Sequence, residues 1–418
     1  DSIPLSSDNY ENECEFRLCR LLYICLKKLT GITPSWGIIT GIRPVKKVNA
    51  LIDEGKTKEE ISNHLKEKYF VSDDKINLSY LTSVTQKPLL SVPEKSFSLY
   101  VSIPFCPTRC SYCSFVSHSM DSAVKLIPDY IEKLCEEIKI TADIAKKLCL
   151  SLDTVYFGGG TPTSIEASQL DRIMTAVSDS FNLSHLREYT VEAGRADTIT
   201  KEKLEVILKN GADRISINPQ TMNDNVLKAI GRNHTSEQTI KAYYLAREIG
   251  FKNINMDLIA GLPTDDFESF KASVEKVIDL NPENITVHTL TLKRSSALFE
   301  NKNEVKDISV SKMTDYSQKA IIANGYNPYY LYRQKNTLEN LENVGYSKKD
   351  FESLYNIFIM EEIQSIFAVG AAASTKLFDI KSGKIQRVCN YKFPYEYIGR
   401  FDKLMEKKKE IYNFYNQY

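Results

Sequence analysis

Tyr100-Val-Ser-Ile-Pro-Phe-Cys106-Pro-Thr-Arg-Cys110-Ser-Tyr-Cys113-Ser-Phe115 is an apolar, β-like run that breaks into a loop carrying three closely spaced cysteines. Such spacing, in a chain whose other cysteines are scattered, indicates a metal site rather than a disulfide staple. Thiolates are soft ligands that favour iron–sulfur clusters, zinc or Cu(I), and a cubane [4Fe–4S] cluster has four iron corners to satisfy. Three cysteines leave one corner open to another ligand. The competing reading is a structural zinc, which needs a fourth ligand close by, and His118 is the only nearby candidate.

The rest of the composition sets limits on the partners of that loop. At 418 residues the chain has room for two or three domains and one large core, and 42% hydrophobic with 10% aromatic residues is ordinary for a soluble globular protein. Lys plus Arg equals Asp plus Glu at 54 each, which removes any global basic field for nucleic acid or an anionic membrane. A charged ligand therefore needs a local cluster. No apolar run approaches the ~20 residues of a membrane span, and Leu21 to Leu26 is too short for a signal peptide. A cytoplasmic chain without nucleic-acid or membrane partners is expected. The remaining cysteines lack the density of a secreted scaffold; Cys14, Cys19, Cys25, Cys135 and Cys149 read as small buried hydrophobes, and a lone Cys389 near the C-terminus argues for one cluster only. The chain opens on Asp1 rather than Met, so a preceding segment is expected.

Taken in order, residues 1–97 read as a small helical N-terminal domain, with helical periodicity from Phe16 to Leu29 and from Lys58 to Tyr69. Between them Trp36-Gly-Ile-Ile-Thr-Gly41-Ile-Arg43-Pro44-Val-Lys46-Lys47 reads as a packed turn with a solvated basic edge. From Ser98 a pattern repeats: short β-rich run, turn, amphipathic helix. The strands expected are Leu99–Ile103, Thr154–Phe157, Tyr189–Glu192, Arg214–Asn218, Ile254–Ile259 and Ile285–Thr291. The helices are Asp129–Leu148, Gln169–Phe181, Lys201–Lys209, Glu237–Ile249 and Phe267–Leu280. Alternation of this kind implies an α/β fold with a parallel sheet, chemistry collecting at the strands' C-terminal ends. The cysteine loop follows the first strand, and Gly158-Gly159-Gly160-Thr161 follows the second, where glycine lets backbone come close to a ligand. Residues 98–300 form this unit and 301–418 a C-terminal domain, with a helix from Ser309 to Asn324, a tyrosine-rich strand from Tyr326 to Arg333 and a solvated charged helix face from Lys403 to Lys409.

With Glu192, Arg214-Ile-Ser-Ile-Asn-Pro-Gln220, Gly231-Arg232 and Asp257-Leu-Ile-Ala-Gly261-Leu-Pro263 added to the two loops, the chain resembles the oxygen-independent coproporphyrinogen III oxidase family of radical S-adenosylmethionine enzymes. The likeness covers roughly residues 98 to 300 and continues more loosely to about 400. Gly41-Ile-Arg43-Pro44, Tyr330-Leu-Tyr332-Arg333-Gln334-Lys335-Asn336 and Asn343-Val-Gly345-Tyr346 are similar to its HemZ-type branch. The order of so many motifs weighs against zinc.

The resemblance implies a partial (β/α)6 barrel with a small helical N-terminal domain and an α+β C-terminal domain covering the barrel mouth. It implies a [4Fe–4S] cluster on Cys106, Cys110 and Cys113 and S-adenosylmethionine on its open iron, whose reductive cleavage releases a radical able to take hydrogen from an unactivated carbon. Tyr100 and Tyr112 would flank cluster and methionine, and Gly159, Gly160 and Thr161 would bind the methionyl group. Glu192, Gln220, Arg232 and Asp257 would hold amino acid and ribose, and Thr291 would meet the adenine through its backbone. No side chain is expected to act as catalytic acid or base. The implied activity is oxidative decarboxylation of coproporphyrinogen III to protoporphyrinogen IX, fed by a reductant protein such as flavodoxin or ferredoxin. Arg43, Arg195 and Arg333 are the candidate cations for the substrate's propionates. The better-known oxidases of the family have a further cysteine where this chain has Phe115, and His where it has Ser102. Phe115 brings the chain toward the family's haem-chaperone branch, so a haem chaperone or a radical enzyme acting on haem stands as the alternative.

Overall fold

The computed structural model describes residues 10–115, 117–299 and 309–417. At its centre strands β1 (Ser96–Ile103), β2 (Ser151–Gly159), β3 (Glu188–Glu192), β4 (Arg214–Ser216), β5 (Asn253–Ala260) and β6 (Asn284–Thr289) lie side by side in chain order. Every neighbouring pair among them is parallel. Helices Ile127–Lys147, Ala167–Ser180, Lys201–Lys209, Ser236–Ile249 and Phe267–Leu280 fill the connections. Local chemistry sets their ends: Thr235 and Gln238 close a capping box, and Gly250 at φ 119° ends the same helix. β1 and β6 do not pair with each other, so the six-stranded unit is an open, partial barrel.

Strand alternation decides which side chains see the lumen. On β1, Phe97, Leu99, Val101 and Ile103 are buried in the main hydrophobic core. The intervening Ser98 instead accepts from Thr154 Oγ1 (2.8 Å), and across the neighbouring strands Asn255 Nδ2 donates to Ser216 Oγ (2.8 Å) while Thr286 Oγ1 donates to Asn255 Oδ1 (3.0 Å). The lumen is therefore a hydrogen-bonded polar layer rather than a second apolar core. A barrel built in this way can receive a polar ligand without first expelling an apolar filling.

The C-terminal residues prolong the sheet at both ends, with β7 (Asn327–Arg333), β8 (Glu342–Ser347), β9 (Ser365–Val369), β10 (Ser374–Phe378) and β11 (Ile385–Cys389) completing the order β11-β10-β9-β1-β2-β3-β4-β5-β6-β8-β7. β9 runs parallel to β1, and β8 antiparallel to β6. An unclosed barrel leaves two edges of bare N–H and C=O groups, and these strands pair them. The expectation of a solvated face at Lys403–Lys409 is corrected at one position: Lys408 is 1% exposed and its Nζ lies 2.7 Å from Glu137 Oε1, 2.9 Å from Thr141 Oγ1 and 3.2 Å from the Ala368 carbonyl.

Helices Tyr10–Thr30, Val45–Asp53, Lys58–Tyr69 and Asp73–Gln86 form the N-terminal part. Trp36 is buried in a turn and donates from Nε1 to Glu342 Oε2 (2.7 Å), whose other oxygen accepts from the buried Lys75 (2.7 Å). These contacts fasten the helices to β8. The first helix touches its neighbours through Phe16 against Tyr69 and Tyr23 stacked on Phe70, while Leu18, Leu21, Leu22 and Leu29 remain exposed. Of the cysteines read as buried, Cys135 is buried, Cys14 and Cys19 are half-buried, and Cys25 and Cys149 are exposed. Cys149 falls just beyond the helix Ile127–Lys147 at φ 54°, outside the core-facing stripe. No helix among the described residues is long and apolar enough to cross a membrane.

Candidate cluster and cofactor site

Pro104 follows β1 and cannot continue its ladder. The chain instead makes a two-residue parallel pair, Phe105–Cys106 with His118–Ser119, which ties the two ends of the cysteine loop together. Inside the loop Ser111 N–H donates to the Ile230 carbonyl (3.1 Å), Thr108 Oγ1 to the Gly231 carbonyl (2.8 Å), and Arg109 Nη2 to the Ser295 carbonyl (2.7 Å). The glycine triplet supports it from the other side. Gly160 N–H donates to the Ile103 carbonyl (2.8 Å), and a Cβ on Gly160 would stand 2.6 Å from the Phe105 carbonyl oxygen and 3.0 Å from the Cys106 sulfur. Thr161 Oγ1 lies 3.4 Å from that sulfur. Close approach at Gly160 thus serves the cysteine loop itself.

Burial pushes the thiols of Cys106 and Cys113 up, the latter to about 11; for Cys113 the Phe115 N–H works against burial and the neighbouring Cys110 and Cys106 add to it. Burial thus favours the protonated thiols, and an iron bound there would supply the positive charge that ionises them. His118 turns its ring edge-on to Phe393, with centroids 6.0 Å apart. Among the described residues no group of three His, Cys, Asp or Glu converges as ligands of a single ion.

Around the lumen beyond the loop, Tyr100 on β1 stacks toward Tyr156 on β2 (6.1 Å), and Tyr156 stacks on Tyr355 from the helix Leu354–Glu361 (4.4 Å). Tyr156 donates its hydroxyl proton to Glu192 Oε1 at the end of β3 (2.6 Å). Burial raises Glu192 to about 7, against the Tyr156 hydrogen bond and with Asp257 adding to the rise. Asp257 on β5 is half-buried, and His288 Nε2 at 3.7 Å and Asn255 Nδ2 at 2.8 Å hold its carboxyl below the usual value against desolvation. Gln220 takes φ 67°, with its N–H on the Asp257 carbonyl (2.8 Å) and its own carbonyl accepting from Ile259 (2.9 Å). Arg232 reaches the Asn218 carbonyl (2.6 Å) and the Tyr112 hydroxyl (3.3 Å). Burial opposes its charge, but Tyr112 and Cys110 beside it hold the guanidinium above its ordinary value.

Two buried polar atoms in this ring have no protein partner: Gln220 Oε1 and Arg232 Nε. A buried acceptor or donor left unpaired costs about 1–3 kcal/mol, so both mark places a ligand would fill. An acceptor, a donor and two carboxylates of opposite tendency complement a cofactor that carries a cationic amino acid and hydroxyls. S-adenosylmethionine therefore fits the residues present. Thr291 pairs with Thr337 in an isolated bridge and gives its hydroxyl to the Thr289 carbonyl (3.3 Å), leaving its side chain turned into the protein's own backbone. Tyr156, His288 and Tyr355 escape a reading by motif. The first two follow from alternation, since Tyr156 pairs with Tyr100 in register and His288 lies two residues beyond Thr286, the ladder partner of Asp257, on the same face; Tyr355 has no local signal.

The three arginines stand apart from this ring. Arg195 is 2% exposed, with Nε and Nη2 on the two oxygens of Asp197 (3.0 and 2.7 Å) and Nη1 on Thr108 Oγ1 (2.8 Å). Its donors are thus engaged with Asp197 and with Thr108 of the cysteine loop. Arg333 lies over the Trp36 ring and donates to the carbonyls of Ile39 and Asn340, joining the N-terminal helices to β7. Arg43 pairs with Glu362, whose carboxylate is also approached by Lys376 (3.6 Å) and Arg387 (4.0 Å).

Residues 100–277 match the model of the radical SAM superfamily, and that superfamily's cofactors are a [4Fe–4S] cluster and S-adenosylmethionine. The chain belongs to the oxygen-independent coproporphyrinogen III oxidase-like family within it. It is 43% identical over 392 residues to the oxygen-independent coproporphyrinogen-III oxidase-like protein HemZ of Bacillus subtilis, covering 92% of this chain and 78% of the relative. It is 32% identical over 303 residues to the heme chaperone HemW of Lactococcus lactis, covering 71% and 74%. Among solved structures it is similar to coproporphyrinogen III oxidase (HemN) of Escherichia coli, with a TM-score of 0.59 and 24% identity over 76% of this chain and 72% of that one, a likeness of fold.

Proposed function

We propose that this protein oxidatively decarboxylates two propionate side chains of coproporphyrinogen III to vinyl groups, giving protoporphyrinogen IX. The observation that carries the reading is the stacked wall Tyr100–Tyr156–Tyr355 beside Glu192, a flat aromatic flank suited to a macrocycle next to the cofactor ring. The likeness to the HemZ-like relative supports it.

Cys106, Cys110 and Cys113 would hold the cluster. Glu192 would take the cofactor's amino group, Arg232 its carboxylate, and Asp257 and Gln220 its ribose hydroxyls, so these side chains orient and bind but move no proton. Bound there, the cofactor would supply a carbon radical competent to take a hydrogen atom from the propionate β-carbon. Carbon dioxide then leaves and one electron passes to an acceptor, once for each propionate. Of the three arginines, Arg43 is the one assigned to the substrate: with Lys376 and Arg387 it gives three cations to the single carboxylate of Glu362. A reductant protein such as flavodoxin or ferredoxin would supply the electrons.

The deciding assay is anaerobic, with purified protein, reductant, S-adenosylmethionine and coproporphyrinogen III. Reconstitution should incorporate about four irons per chain, the cubane count, and mass measurement should find successive loss of two carboxyl groups. A haem chaperone is the second reading, favoured by Phe115 in the cysteine loop and by the HemW relatives. Stoichiometric haem binding with no decarboxylated product would establish it.

A further inference from the structure

The rings of Tyr100, Tyr156 and Tyr355 bound one flank of the lumen, and strand pairing places a second set of rings beyond the cofactor residues. Asp257 on β5 pairs with Thr286 on β6, Thr286 with Gly345 on β8, and Gly345 with Tyr330 on β7. Directly paired residues share a face of the sheet, so this row leads along the lumen face from Asp257 to Tyr330. Gly345 is the gap in the row. A Cβ there would stand 1.9 Å from Tyr330 Cε1 and 2.5 Å from its Cδ1, so the ring lies flat over the glycine backbone and its hydroxyl reaches on to Thr286 Oγ1 (3.4 Å). Tyr332, two residues along the same face and half-buried, stacks beside it with centroids 6.3 Å apart and 15° between the planes. Tyr330 also packs in one buried cluster with Ile357 and Phe358, on the helix Leu354–Glu361 that carries Tyr355 to the first wall. One helix therefore touches both sets of rings. One carboxylate reaches both as well: burial chiefly pushes the hydroxyls of Tyr156, Tyr330 and Tyr332 up, and Asp257 adds to the rise in each.

We propose that Tyr330 and Tyr332 form the second wall of the substrate slot, stacking on the pyrrole rings of the macrocycle from the side opposite Tyr156 and Tyr355, and that Gly345 keeps the slot open by letting Tyr330 lie flat. The inference rests on the porphyrinogen reading above and adds residues that select a ring-shaped tetrapyrrole. Two aromatic walls bury more apolar surface of such a ligand than one, and tyrosine rings do so at little cost in side-chain freedom. Any side chain at position 345 would lift the Tyr330 ring off the sheet and into the space the substrate needs. Tyr330 and Tyr332 thus touch the substrate, whereas Gly345 acts through Tyr330 and is a positioning residue.

The test is anaerobic equilibrium dialysis of coproporphyrinogen III against the reconstituted full chain, with the bound fraction oxidised afterwards and read by its Soret absorbance. Tyr332→Leu should weaken binding about fivefold, the effect of losing an aromatic stack, while Tyr332→Phe should bind like the unmodified protein. Iron content and S-adenosylmethionine binding should stay the same in Tyr332→Leu, which locates the loss in the slot. Gly345→Ala and Tyr330→Leu should each weaken binding too, yet Gly345→Ala/Tyr330→Leu should bind no worse than Tyr330→Leu alone, because the added methyl group then has no ring to displace. Additive losses in that double variant would overturn the role of Gly345, and if Gly345→Ala does not fold, the tyrosine variants decide. Unchanged porphyrinogen affinity in Tyr330→Leu and Tyr332→Leu would overturn the second wall and leave the porphyrinogen reading standing. Absence of binding by the unmodified protein would overturn that reading, and the slot with it.

Discussion

Glu192 and Asp257 line one lumen and yet are driven in opposite directions: burial raises Glu192 against the hydrogen bond from Tyr156, whereas His288 and Asn255 outweigh burial at Asp257 and hold it down. Between the ordinary glutamate value of 4.5 and about 7, the folded protein keeps a proton on Glu192 that the unfolded chain has lost. Its contribution to stability therefore falls as pH rises through that window and is constant above it. Urea unfolding of the metal-free protein at several pH values should show this fall as the difference between the unmodified chain and Glu192→Gln, which carries no titrating group. Asp257→Ala should weaken S-adenosylmethionine binding by about 1.5–3 kcal/mol, the range for hydrogen bonds to charged groups, as read by calorimetry with the cluster in place. An unchanged dissociation constant with lost turnover would assign Asp257 a chemical role instead. The identity of both residues was legible from motif and strand position. The Tyr156 hydroxyl that partners Glu192 was legible only through the period-two alternation that places it beside Tyr100.

At the scale of elements, Phe267–Leu280 and Lys201–Lys209 agree with the sequence expectation at both ends, because their caps and apolar stripes are local. The expected Arg214–Asn218 strand ends at Ser216, where Asn218 leaves the ladder to accept from the Ser216 hydroxyl (2.5 Å) and Gln220 turns to φ 67°. Tertiary hydrogen bonding overrides the apolar pattern there. The glycine triplet was read as a place for ligand approach, whereas the backbone that comes nearest Gly160 is Phe105. Gly160→Ala should push the cysteine loop outward, costing about 1–3 kcal/mol as overpacking does. Iron uptake on reconstitution should drop while the far-ultraviolet circular dichroism stays the same; normal iron content would remove Gly160 from the support of the loop. Arg195 supports the same loop: Arg195→Met leaves Asp197 with His234 and removes the donor to Thr108, and faster iron release to a chelator is the expected outcome.

Across the whole molecule, buried ion pairs join segments that no local pattern connects. Lys75 and Glu342, 1% and 3% exposed, lie 267 residues apart, and Lys408 reaches Glu137 from the far end of the chain. Lysines in charged helical stretches read as solvated from sequence, since nothing local marks the single one that faces inward. Lys75→Met leaves Glu342 with Trp36 alone and should destabilise the protein by about 3–5 kcal/mol, the cost of breaking a buried pair. Denaturant titration checks the magnitude. The same distance effect keeps the pairing of the C-terminal strands with β1 and β6 out of the local sequence, because it depends on edges that exist only once the barrel has formed.

The position of β9 against β1 has a consequence in time. β1 is the earliest strand of the sheet to be synthesised, yet the Gln364 side chain that bonds Ser96 comes 268 residues later. Until then one long flank of β1, next to the cysteine loop, has no neighbour. Loops of that length close slowly, and an unpaired strand edge invites association with other chains. The cysteine loop thus leaves a strand whose border is finished only when Ser365–Val369 has been made and has paired with it.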